Sequence, residues 1–99
     1  MAKRRSKMEQ PRFFTAYVTS SQACHSIHPA ATHIIVRNRG DDLEPPTGDI
    51  ELALQTPDSN DTFLLMVGDR EHFGPSLFKE ICYKRIDHGH KVRLDFLFF

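Results

Sequence analysis

The sequence predicts an α+β fold, a mostly antiparallel sheet of four to five strands carrying one amphipathic helix near its C-terminus. Three observations lead there. Residues 12–18 and 49–55 read as half-buried strands, the first rich in aromatic and β-branched residues and the second strictly alternating. Residues 75–86 place apolar side chains at helical spacing behind Pro75. Pro, Gly, Asn and Asp clusters cut the rest into strand-length pieces.

Taken in order, residues 1–10 are polar, basic and stopped by Pro11, which predicts a flexible arm ahead of a single domain over 11–99. "RFFTAYV" (12–18) predicts a strand with Phe13, Thr15 and Tyr17 on one face and Phe14, Ala16 and Val18 on the other. Ser20 or Ser21 would cap a short helix near 20–28, ended by Pro29, with a loop as the alternative. "THIIVRNR" (32–39) predicts a second strand, and Pro45-Pro46 marks a loop. "DIELALQ" (49–55) turns Ile50, Leu52 and Leu54 inward. "TFLLMVG" (62–68), apolar on both faces, predicts a central strand. The helix over 75–86 would bury Leu77, Phe78, Ile81 and Cys82, with Arg85 at the edge of that stripe and Gly89 as its stop. The last strand, 91–99, completes an order close to a ferredoxin-like variant.

Ninety-nine residues hold one modest core. No apolar run is long enough to span a bilayer, and no secretory leader is legible, so the expected setting is intracellular: cytoplasmic, or nuclear in a eukaryotic host. Two cysteines, Cys24 and Cys82, form no disulfide framework by spacing. The net charge is zero, but it is segregated: residues 1–39 carry +6, residues 40–69 carry −8 and residues 70–99 carry +2.

That layout, with no trusted catalytic signature, points to a non-enzymatic binding or regulatory module acting through protein–protein contact. Its size and character suit a viral or phage accessory protein. Asp41, Asp42, Glu44, Asp49 and Glu51 are the candidate docking residues for a basic partner. The alternative is nucleic-acid binding, with Lys3, Arg4, Arg5 and Lys7 on phosphates. A third reading, a small metal-dependent hydrolase, rests on six histidines, with Cys24 and His28 at i, i+4 and His88-Gly89-His90 as the candidate zinc ligands; the two tight ligand pairs of a structural site are missing, so neither metal nor cofactor is expected. Cys24 beside His25 invites a Cys–His nucleophile, although sequence neighbours do not by default reach productive geometry. Arg70, His72 and Ser76 would rim an anion site at the start of the predicted helix. Finally, Val92, Leu94, Phe96 and Phe98 share one face of the last strand while Leu97 and Phe99 lie on the other. That end needs cover from its own sheet or from a second copy, which makes Leu97 and Phe99 candidate homodimer contacts.

Overall fold

The structure, a computed structural model, describes residues 11–55 and 60–99. Eight strands follow in order: β1 (Arg12–Val18), β2 (Ala23–Ala31), β3 (Ile34–Gly40), β4 (Ile50–Gln55), β5 (Asn60–Leu65), β6 (Arg70–Phe73), β7 (Phe78–Arg85) and β8 (Val92–Phe98). They form two antiparallel four-stranded sheets, β1-β8-β3-β6 and β2-β7-β4-β5. This is the strand order of a jelly-roll sandwich, in which the chain passes repeatedly between facing sheets.

The α+β expectation is therefore corrected: among the described residues the fold is all-β. The predicted helix over 75–86 is strand β7, central in its sheet between β2 and β4. Ile81, Tyr83 and Arg85 point inward while Glu80, Cys82 and Lys84 point outward, a period of two. Phe78 is also buried although the alternation slips between it and Ile81. That slip is what produced helix-like spacing in the sequence. Pro75 follows a cis peptide bond at Gly74 rather than opening a helical turn.

The short helix near 20–28 is likewise a strand. In β2, His25 and Ile27 face inward, while Cys24 and Ser26 face outward. Pro29 is tolerated because β2 is an edge strand and its ladder is irregular between Ser26 and Ala31. Of residues 62–68, those up to Leu65 belong to β5, which is an edge strand and not a central one, and 66–68 lead into the turn after it; Leu64 and Met66 are exposed. Residues 70–73, the expected place of the anion site ahead of the helix, form β6.

Strands β1, β4 and β8 keep the expected faces, and β3 is a strand as expected. Their inward residues, including Val18, Ile34, Val36, Ile50, Leu52, Leu94 and Phe96, build the core. Strand β8 lies between β1 and β3, so its backbone is paired on both sides, and its tip is held as well. The Phe99 N–H donates to the His33 carbonyl at 3.0 Å, and the Phe99 carbonyl accepts from the Thr32 N–H at 2.8 Å. The predicted basic arm, including Lys3, Arg4, Arg5 and Lys7, lies outside the described residues.

Candidate functional site

Two surfaces and one buried cluster hold the polar side chains of interest. The buried cluster sits at the end of the sandwich formed by the β3–β4 and β7–β8 loops. Arg85, 5% exposed, points inward from the end of β7 and meets Asp41, whose side chain is fully covered, at 3.2 Å. The guanidinium also donates to Asp87 at 3.0 Å, to the His90 carbonyl at 2.6 Å and to the Thr47 hydroxyl at 3.3 Å. Asp41 accepts from the Thr47 hydroxyl at 2.6 Å and from the N–H groups of Thr47 and Leu43 at 2.9 and 3.1 Å. A buried charge pair is tolerated only when its remaining lone pairs and protons are met in this way.

Glycine is required on both sides of the guanidinium. Gly48 has φ of 111°, and a Cβ there would collide with Val92 and press on the Arg85 guanidinium. At Gly89 a Cβ would stand 2.5 Å from Arg85 Cζ. The His88-Gly89-His90 step is thus a wrapper around Arg85. His88 Nδ1 is bonded to the Ser20 hydroxyl at 3.1 Å and His90 Nδ1 to Asp42 at 2.6 Å. Asn38 supplies a second buried polar tie: its amide donates to the Gly48 and Leu65 carbonyls, and its oxygen accepts from the Gly40 N–H.

Hydrogen bonds from Thr47 and Leu43, with Arg85 beside it, hold the Asp41 carboxyl well below the usual aspartate range. A depressed folded-state pKa means the unfolded chain binds the proton more readily. Asp41 therefore stabilises the fold fully above the ordinary aspartate value, and this contribution fades as pH falls through the lower folded value. Urea-unfolding midpoints measured between about pH 5 and pH 1 are expected to drop with acidification, and Asp41→Asn is expected to flatten that slope. An unchanged slope in the variant would remove Asp41 as its source.

Of the five acids predicted to dock a partner, Asp41 is thus internal. Asp42 bonds His90, Glu44 and Asp49 are exposed on the β3–β4 loop, and Glu51 pairs with Lys84 at 3.7 Å on the outer face of the second sheet. The structure does not gather them on one face. The predicted anion site changes too. With no helix there, the Ser76 N–H donates to the Thr32 carbonyl, and His72 bonds the His33 ring at 3.0 Å.

Arg70 instead joins a surface that the sequence did not reveal, the outer face of β1-β8-β3-β6. One row across it runs Phe13, Leu97, Ile35 and His72; the next runs Thr15, Asp95, Arg37 and Arg70. Phe13 is 82% exposed and Tyr17 66%. Arg37, Arg39, Arg70 and Arg93 share the face with one acid, Asp95, which already accepts from Thr15, Arg39 and Arg93. Arg37 and Arg70 stand opposite each other with no ion-pair partner among the described residues. Such like-charge pairs are destabilising until an anion joins them. At one end the face opens into a groove of about 300 Å³ bordered by Tyr17, Arg39, Asp42, Lys91 and Arg93. Leu97, half-buried in the apolar row, and Phe99, 40% exposed, are the two predicted dimer contacts.

The outer face of the second sheet carries the cysteines. Cys24 and Cys82 are directly opposed on β2 and β7 and joined as a disulfide. This corrects the reading of Cys82 as a core thiol, and it leaves Cys24 no thiolate in this form. His25 faces the opposite way, stacked on Phe14 at 3.8 Å between ring centroids. Adjacent strand residues point to opposite faces, so a Cys24–His25 nucleophile is excluded by geometry.

Comparison with known proteins returns no matching family model and no matching curated protein. Solved structures do match. The Fe(II) form of HppE superposes with a TM-score of 0.61 at 10% identity, covering 94% of this chain and 45% of that one. Hydroxypropylphosphonic acid epoxidase from S. wedmorenis gives 0.56 at 11% identity, with 90% and 42% covered. The chain spans less than half the length of these neighbours, and identities this low concern the fold alone. An iron inside the sandwich does not fit the described residues. Their inward positions are mostly aliphatic and aromatic, with His25, Asn38 and Arg85 as isolated polar members, and the one cluster of three His, Cys, Asp or Glu donors among the described residues is Cys24, Glu80 and Cys82, on the outside.

Proposed function

We propose that the chain is a non-catalytic binding module that engages an acidic protein surface through the outer face of β1-β8-β3-β6. The observation that carries this is the exposure of Phe13 and Tyr17 on the same face as four arginines. Aromatic and arginine side chains are the residue types that anchor interfaces, because both cover apolar area and arginine also forks onto carboxylates. Among the described residues the inward positions supply a largely apolar core, and the buried Arg85, Asp41 and Asn38 are taken up in contacts that tie loops together.

A second reading, phosphate binding to nucleic acid, is favoured by the unpaired Arg37–Arg70 couple and by the basic sequence preceding β1. Capture from the native cell separates the two. Wild-type protein is expected to retain an acidic protein partner after nuclease treatment. The Arg37→Glu/Arg70→Glu variant is expected to lose it at least tenfold while keeping its circular dichroism. Loss of all capture on nuclease treatment transfers the assignment to nucleic acid. Capture that survives both charge reversals removes this face from the reading.

A further inference from the structure

We propose that Cys24, Cys82 and Glu80 form a redox-gated site for a thiophilic divalent cation, with zinc as the natural occupant. Register places the two cysteines opposite each other on the solvent side of the second sheet, and Glu80 lies two residues before Cys82 on the same face. Potential ligand atoms of all three lie within 4.8 Å of one another, and Glu80 Oε1 is 4.0 Å from Cys82 Sγ. Tetrahedral zinc with Zn–S bonds of about 2.3 Å needs its two sulfurs about 3.8 Å apart. Two cysteines facing each other across a ladder reach that separation by side-chain rotation, leaving the backbone pairing intact.

The site also has access. Beside the disulfide lies an open depression of about 150 Å³ lined by Gln55, Asp61, Glu80 and Cys82. The Glu80 carboxylate on its rim favours a cation, and water entering it would complete the coordination. Thiolate ligands select zinc over magnesium or calcium, whose hard ions prefer oxygen.

The gate follows from sulfur chemistry. In the disulfide neither sulfur carries the charge a metal requires. A small dithiol attacks the bond, passes two electrons to the Cys24–Cys82 pair and leaves as its own cyclic disulfide, delivering two thiols to the protein. Zinc then binds both sulfurs as thiolates, releasing two protons to solvent. Oxidation reverses the sequence: the S–S bond re-forms, two electrons leave to the oxidant and the cation is expelled.

The test uses the full chain, reduced with a dithiol and desalted, titrated with cobalt(II) and then zinc. Cobalt is expected to bind one per chain with a thiolate-to-metal charge-transfer absorption that histidine or carboxylate sites do not produce, and zinc to bleach it. The oxidised chain is expected to show no such band. Glu80→Gln should keep the band but weaken binding about tenfold or more, at least the loss that follows removal of an outer-shell partner. A reduced, folded chain without the band overturns the proposal, as does a band undiminished in Cys24→Ser. Should reduction alone unfold the sandwich, zinc is expected to restore its circular dichroism, and failure to do so also overturns the assignment.

Discussion

Arg85→Met is expected to destabilise the domain by about 3–5 kcal/mol, read as a lower denaturant midpoint at unchanged slope. Methionine keeps much of the apolar stem but removes every guanidinium contact. Asp41, covered and charged, then keeps only its bonds from Thr47 and Leu43. The His90 carbonyl loses its 2.6 Å donor, so the β7–β8 loop loses what it folds around. Arg85→Lys is expected to recover only part of the loss, since one ammonium does not reach Asp41, Asp87, Thr47 and the His90 carbonyl together. Arg85 and Asp41 variants combined should be non-additive, because each residue organises a different loop through the same pair. A loss below about 1 kcal/mol for Arg85→Met would show that the loops hold without the charge at their centre.

The same residue shows why part of the fold was legible in the sequence and part was not. Strands β1, β4 and β8 declare themselves because the inward positions alternate as apolar residues, down to Ile50, Leu52 and Leu54 turning inward, and β3 does so through its β-branched start at Ile34, Ile35 and Val36. Strand β7 breaks that rule twice. The slip at Phe78 shifts the apolar phase, and Arg85 is a charge at an inward position. Ile81-x-Tyr83-x-Arg85, whose third member is a charge, gives no apolar alternation, while helical spacing accommodates Arg85 at the edge of its stripe, so the helical spacing won. Strand β2 hid behind Pro29, which its edge position accommodates, and β6 is four residues long with three of them exposed. The Arg85–Asp41 pair spans 44 residues and depends on two loops meeting, which no local pattern encodes. The arginine face was illegible for a related reason. Its members come from β1, β3, β6 and β8, and charge counted along the chain assigned the docking role to the acidic loop instead.

Breaking the Cys24–Cys82 link is the other change with a large expected effect. The bridge spans a sequence separation of 58, for which the chain-entropy model gives about 4 kcal/mol of stabilisation through restriction of the unfolded chain. The folded side adds a local reason. Strand β2 is an edge held to β7 alone, its ladder is irregular between Ser26 and Ala31, and Pro29 brings no N–H. Without the bridge, the paired segment Ala23–Ser26 is the part of the second sheet expected to open first, seen as faster amide hydrogen exchange there than in β4 or β7. The Cys24→Ser/Cys82→Ser chain and the reduced wild type should lose the same amount, which separates loss of the link from any effect of the reductant. With about 5–15 kcal/mol holding a typical domain, either form should stay folded at room temperature with a narrowed margin. Equal midpoints for oxidised and reduced protein, with both thiols confirmed by alkylation, would show that β2 is held by its backbone ladder and side-chain packing alone.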